Sequence, residues 1–167
     1  MQQSDTDFAP LGSYLRARLA DQGFMAHMGA EVDELSPGVC VMAVNRRPEL
    51  LQQNGFFHGG VTAFLVDNAT TVAAATVRGQ GVLTAEFKLN LLAPATGTRL
   101  ICRARVVKPG RQVSVVAADE FSVTEGGEKH TATALASIAM LGDKLMEKEP
   151  PGRLSARGIA KTKGRPP

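Results

Sequence analysis

The stretch Asn54-Gly55-Phe56-Phe57-His58-Gly59-Gly60-Val61-Thr62-Ala63-Phe64-Leu65-Val66-Asp67 carries the chain from a polar loop into an apolar helix. The paired glycines at 59 and 60 let backbone N–H groups come close to a ligand at the helix N-terminus. There the unsatisfied donors and the helix dipole favour developing negative charge. Asp67 interrupts the apolar run from Val61 to Val66, where a carboxylate is costly unless paired or used. The helix is expected from about Gly59 to Val77, with Arg78-Gly79-Gln80-Gly81 as its stop.

On the N-terminal side, Arg46 to Phe57 reads as a polar loop. Two short strands around Ala30 to Leu35 and Val39 to Asn45 precede it, joined by the turn Ser36-Pro37-Gly38. Phe8 to Met28 has apolar residues at helical spacing, Leu11, Leu15, Leu19 and Ala20, and is expected to cap the domain as a helical segment. On the C-terminal side, strands are expected at Val82 to Leu92, Arg99 to Lys108, Gln112 to Thr124 and Lys129 to Leu141, separated by Pro- and Gly-containing turns. Leu100, Cys102, Ala104 and Val106 alternate, as do Val113, Val115 and Ala117, which suits a sheet with one covered face. Periodicity alone supports α+β: one long helix and an antiparallel meander.

A chain of 167 residues with 44% hydrophobic content can bury one sizeable core. The organisation expected is a helical segment over 1–28, a domain over 29–142 and a flexible tail over 143–167. The tail carries seven basic residues against Asp143, Glu147 and Glu149, so subtracting its +4 from the whole-chain +3 leaves the body at −1. Its prolines and scarcity of large apolar residues suit a solvated extension. It has no aromatic residue on which a base could stack, so nucleic acid is not an expected partner, while weak binding to anionic surfaces stays open. No run of about 18 apolar residues points to a membrane span. Met1 to Asp7 lacks the basic start and apolar stretch of a secretory signal. Cys40 and Cys102 lie in apolar, strand-like segments without metal-ligand spacing and read as reduced core residues of a cytoplasmic protein.

Several positions, in order, give the chain a resemblance to a known family. Gln52 stands six residues before His58, His58-Gly59-Gly60 opens the helix, and Asp67 falls nine residues after the histidine. Thr71 lies one turn beyond Asp67, Thr84 falls near the start of the next strand, and Ala85 to Ala95 forms a strand ending at Pro94. From about Leu35 to Leu141 the chain resembles the hotdog-fold acyl-CoA thioesterases of the phenylacetate-catabolism and 4-hydroxybenzoyl-CoA types. The resemblance implies a curved antiparallel sheet wrapped around one helix and hydrolysis of an acyl-CoA to a carboxylic acid and CoA. It also implies active sites at a dimer interface, with Gln52, His58 and Gly59 from one chain and Asp67, Thr71 and Thr84 from its neighbour. A homodimer, paired into a tetramer, is expected.

Helix geometry points the same way. Eight steps of about 1.5 Å place Asp67 roughly 12 Å from Gly59, too far for one carbonyl carbon to touch both. The Gly59 N–H is the expected oxyanion donor. Asp67 is the expected general base or nucleophile, and the sequence does not choose between the two. His58 would orient the thioester or the leaving thiol, and Thr71 and Thr84 would hydrogen-bond Asp67 or the water. Gln52 is the expected loop amide, though a one-residue shift would turn Gln53 or Asn54 inward, so Asn54 remains a substrate-binding candidate alongside Gly60. Lys108 and Arg111, at the Pro109-Gly110 turn, are candidates for the CoA phosphates. Phe56 and Phe57, with Leu50, Leu51 and Phe64, are candidates for the acyl pocket. No cofactor or metal is expected beyond the CoA of the substrate. Three alternatives compete: a hotdog dehydratase or hydratase, a non-catalytic CoA-sensing regulator, and an interaction protein acting through its basic tail. The first fits the spacing of Gln52, His58 and Asp67 less well; the second needs a DNA-reading module for which some 28 N-terminal residues are too few; the third leaves the central motif unused.

Overall fold

Twenty residues, Gly59–Arg78, form the helix on which the domain is built, α3. The structure is a computed structural model that describes residues 5–78 and 81–141. The expected basic tail, and Gly79 and Gln80 of the expected helix stop, fall outside them. Leu65, Ala69 and Ala73 of α3 are wholly buried. By length and composition α3 could cross a membrane, yet 67% of that stretch is buried inside the chain, so its apolarity serves the core.

Six strands wrap around α3: β1 Ala30–Ser36, β2 Val39–Asn45, β3 Val82–Leu91, β4 Arg99–Lys108, β5 Val113–Thr124 and β6 Gly127–Met140. All neighbouring pairs are antiparallel, in the order β1-β2-β4-β5-β6-β3. This is the α+β hotdog fold. The inward faces of β2 and β4, Cys40, Met42, Val44, Leu100, Cys102 and Ala104, are buried against the helix. On β5 the covered positions are Ser114, Val116 and Ala118, whereas Val113 is exposed. The alternation of Val113, Val115 and Ala117 therefore marks the outer face: Val115 and Ala117 pair with Lys108 and Arg105 of β4, while the covered Val116 and Ala118 pair with Val106 and Ala104.

The strands do not run as a simple meander. β3 leaves the helix for the far edge and pairs with β6, while β4 returns to pair with β2. The connection between β3 and β4 must therefore cross the end of the sheet past β6 and β5, about 14 Å at ordinary strand spacing. It does so in contact with the start of α3: Phe57 N–H donates to the Ala95 carbonyl at 3.0 Å. At Gly97 an added Cβ would lie 1.8 Å from the Val123 carbonyl oxygen, so no other residue fits without moving β5 or the connection.

The N-terminal segment is two helices rather than one, α1 Asp5–Ala20 and α2 Gly23–Met28, broken at Asp21-Gln22. The break lets Met25 and Met28 turn into the core beside Leu19. Gly29 ends α2 at φ 62°, the left-handed conformation that a glycine adopts without a Cβ penalty. Cys40 and Cys102 are free thiols at 0% exposure. Burial pushes the Cys40 thiol up to about 12, and Cys102 is raised for the same cause.

Candidate active site at the helix N-terminus

His58 stands at the start of α3 and organises it. Its N–H donates to the Leu50 carbonyl at 2.8 Å, and its own carbonyl accepts from Val61 N–H at 2.8 Å. Its ring Nδ1 accepts the Gly60 N–H at 2.9 Å, so in the neutral ring the proton sits on Nε2. An added Cβ at Gly60 would meet Nδ1 at 3.0 Å, so the glycine leaves the room the ring needs. The adjacent Gly59 N–H has no acceptor among the described residues. One free amide at a helix N-terminus is thus left pointing away from the helix's own hydrogen-bond ladder.

Gly59 lines a cleft of about 380 Å³ together with Gln52, Phe56, Phe57 and the connection residues Leu91 to Ala95. Gln52 closes the loop that leads to it: its carbonyl accepts from Gly55 N–H and its side-chain Oε1 accepts from Asn54 N–H at 3.0 Å. Gln52 lines the cleft, whereas Gln53 and Asn54 are exposed and line neither cleft described here. Phe57 is buried, with the Arg46 guanidinium 5.9 Å from its ring centroid.

Asp67 opens on a second cleft, of about 620 Å³, with Gly60, Phe64, Thr84 and Phe87. Thr84 Oγ1 donates to Asp67 Oδ1 at 2.6 Å and lies 2.7 Å from Thr71 Oγ1. The three predicted residues therefore form one chain of hydrogen bonds, with Thr71 reaching the carboxylate only through Thr84. A bulge in β3 between Thr84 and Glu86 accompanies Thr84's turn toward α3. The sequence did not single out Phe24 of α2, which is 56% exposed, lines this cleft and packs edge-on to Phe64 at 5.0 Å.

In one chain, then, Gly59 and Gln52 border one cleft and Asp67, Thr71 and Thr84 cluster at another. The expected acyl-pocket residues divide in the same way, Phe56 and Phe57 with Gly59 and Phe64 with Asp67, while Leu50 and Leu51 line neither. Lys108 and Arg111 are exposed in the turn between β4 and β5. Gln112 next to them accepts from Met140 N–H, and Met140 pairs with Val82 at the start of β3. Gly59 lies near Leu91 at the other end of that strand, about 30 Å away along ten residues.

A further residue of the Gly59 cleft is Glu120, 1% exposed on the inward face of β5. Thr62 of α3 donates to its Oε1 at 3.0 Å and Thr131 of β6 at 3.1 Å, while Oε2 has no partner. Burial pushes the carboxyl up from its ordinary 4.5 to about 7, and the two threonine hydroxyls offset only part of that. Sequence reading passed over it, although the register Val116, Ala118, Glu120 carries a lone acid inward.

With this geometry in place, the comparisons with known proteins are direct. A profile of the thioesterase superfamily matches residues 54–126, the span from the loop before His58 to the turn after β5. A putative esterase of Saccharolobus solfataricus is 30% identical over 109 residues, 65% of this chain and 71% of that protein. Human acyl-coenzyme A thioesterase 13 is 30% identical over 86 residues, 50% of this chain and 61% of that protein. Among solved structures, a thioesterase family protein from Silicibacter pomeroyi superposes with a TM-score of 0.76 at 37% identity, covering 81% of this chain and 98% of that one. A variant of the phenylacetic acid degradation protein PaaI of Thermus thermophilus does so at 0.64 and 26%, covering 72% and 100%. The chain belongs to the thioesterase superfamily and is a thioester hydrolase of the hotdog fold.

Proposed function

We propose that the protein hydrolyses acyl-CoA thioesters at composite sites formed by two copies of the chain. The observation that carries this reading is the placement of the free Gly59 amide and the Thr84-bound Asp67 carboxylate at separate clefts of a single chain. Each cleft has half of what thioester hydrolysis needs. Gly59 has a donor for the oxyanion, and Asp67 has the carboxylate that activates water or attacks the carbonyl itself. His58 Nε2–H and the Gln52 side-chain amide remain available to orient the thioester on the Gly59 side.

The sheet supports the pairing. β3 is an edge strand with one row of backbone groups unpaired, and Leu83 and Leu91 near its two ends are 53% and 62% exposed. Both clefts border β3, one through Thr84 to Phe87 and the other through Leu91. Antiparallel pairing of two β3 strands sets the Leu91 end of one beside the Thr84 end of the other, bringing one protomer's Gly59 toward its partner's Asp67. The same two-fold places the partner's turn at Lys108 and Arg111 closer to the Gly59 cleft than the chain's own, within reach of CoA phosphates. Such dimers can pair again into a tetramer. The buried free thiols suit a reducing, cytoplasmic setting.

The test is release of free thiol from a panel of acyl-CoA substrates by wild type and Asp67→Ala, with oligomeric state monitored. Loss of turnover in an assembled, folded Asp67→Ala supports the reading. Undiminished turnover removes Asp67 from the chemistry.

A further inference from the structure

Glu120 is unexplained by the reaction just described. The tie between α3 and β6 uses one carboxyl oxygen, which takes both threonine hydroxyls. The second oxygen has no part in it and is buried with no partner. Leaving such a group unsatisfied is costly, and the cost is recovered by anything that completes it. The surroundings are arranged around this point. β6 carries a bulge opposite the Glu120/Phe121 step, where the pairing jumps from Ala132 to His130 and leaves Thr131 as the extra residue. Thr131 and Ala132 are both buried there, and Thr131's carbonyl accepts from Leu92 N–H at 2.8 Å. Bulges of this kind re-aim a side chain beside functional sites. Here the bulge turns a hydroxyl onto Glu120 at the floor of the cleft that holds the Gly59 amide.

We propose that Glu120 is a specificity-determining residue, its free carboxyl oxygen donating a hydrogen bond to an acceptor oxygen carried on the acyl chain, so that the protein selects oxo-substituted acyl thioesters over plain ones. This rests on the thioesterase reading above. The cleft takes the acyl group rather than the CoA arm because it closes on Thr62, Glu120 and Thr131, all at most 3% exposed, whereas the CoA phosphates must emerge into solvent. Apart from Gln52, its remaining side walls are apolar, Phe56, Phe57, Leu91 and Leu92 among them, which suits a short hydrocarbon chain that carries a polar point toward Glu120. With Oε1 accepting both hydroxyls, a neutral carboxyl carries its proton on Oε2 and is a donor in search of an acceptor. Burial favours that neutral form.

The experiment compares hexanoyl-CoA with its 3-, 4- and 5-oxo analogues, scanned because the depth of the cleft fixes which position reaches the floor. The read-out is the kcat/KM ratio of each analogue to hexanoyl-CoA in wild type, Glu120→Gln and Glu120→Leu, with melting curves as a check on folding. One position is expected to be preferred by about tenfold or more in wild type. Glu120→Gln, whose amide can accept the threonines and still donate, is expected to keep most of that preference, and Glu120→Leu to bring the ratio toward one. Ratios near one at all positions in wild type, or a preference that survives in Glu120→Leu, overturn the proposal. The wild-type scan decides even if Glu120→Leu does not fold. The same ratios measured as dissociation constants of the non-hydrolysable CoA thioethers separate the two readings: no turnover with a binding preference retained sinks the thioesterase reading alone, and no binding preference sinks this one.

Discussion

Thr84 Oγ1 donates to Asp67 Oδ1 at 2.6 Å, a bond from an edge strand to the middle of the central helix. Thr71, one helical turn along from Asp67, backs the same hydroxyl at 2.7 Å. A hydrogen bond to a charged group in a partly covered site is worth more than a neutral one. Thr84→Val is therefore expected to lower kcat by about ten- to a hundredfold with little change in KM. Thr71→Val, which reaches the carboxylate only through Thr84, is expected to have the smaller effect. Steady-state kinetics on the preferred acyl-CoA reads both, and equal, negligible effects would show that Asp67 needs no bracing.

The Gly59 amide can be deleted without removing a side chain. Gly59 is the first residue of α3, where an N–H has no intrahelical partner and proline is well accommodated. Gly59→Pro is expected to fold, as judged by circular dichroism and a thermal melt, yet to lose about 10²- to 10³-fold in kcat, the usual cost of one oxyanion donor. A folded Gly59→Pro with wild-type kcat would take this amide out of the reaction.

Glu120 makes stability depend on pH with a definite sign. Its folded-state value is about 7 against an ordinary 4.5, so between those values the folded chain holds a proton that the unfolded chain has released. Stability therefore falls as pH rises through this window and stays lowered above it, by about 3 kcal/mol for a shift of this size. The groups facing the carboxyl are Thr62 of α3, Thr131 of β6 and the thiol of Cys102 opposite it on β4. Glu120→Gln removes the titration, so its stability relative to wild type should rise between pH 4 and pH 8 in denaturant unfolding. A constant difference across that range would mean that Glu120 titrates normally.

Gly97 tests the crossing connection. A methyl group there would sit 1.8 Å from the Val123 carbonyl oxygen, which is backbone and cannot swing aside. Gly97→Ala is expected to cost about 2–4 kcal/mol in urea unfolding and to disturb the cleft wall formed by Ala93, Pro94 and Ala95. An unchanged midpoint would show that the connection gives way freely.

Much of this was legible in the residues. The helix boundaries follow from the glycine pair and the apolar run, and Asp67 stood out because a lone carboxylate in such a run needs a reason. Thr84 could be placed near Asp67 only through the family resemblance, because its contact crosses a loop and depends on a bulge in β3. Strand order was not legible. Alternation tells which face of a strand is covered, not which strand lies beside it, so the departure of β3 to the far edge could not be read from Val82 to Leu91. Nor was the covered face of β5 legible, since Val113, Val115 and Ala117 alternate with Ser114, Val116 and Ala118, which are equally small or apolar. Glu120 was the missed residue of the site. It is ordinary in a sequence with many acids, and its meaning comes from the two threonines that reach it from α3 and β6.

The central claim is that each working site takes Gly59 from one protomer and Asp67 from its partner. Asp67→Ala and Gly59→Pro chains, each inactive alone, can be unfolded together in equal amounts and reassembled. Half of the resulting dimers are mixed, and each mixed dimer has one intact site and one doubly altered site, so activity is expected to return to about a quarter of wild type. Activity that stays at the level of the separate variants, in mixtures shown by mass spectrometry to contain the mixed dimer, would contradict the shared site.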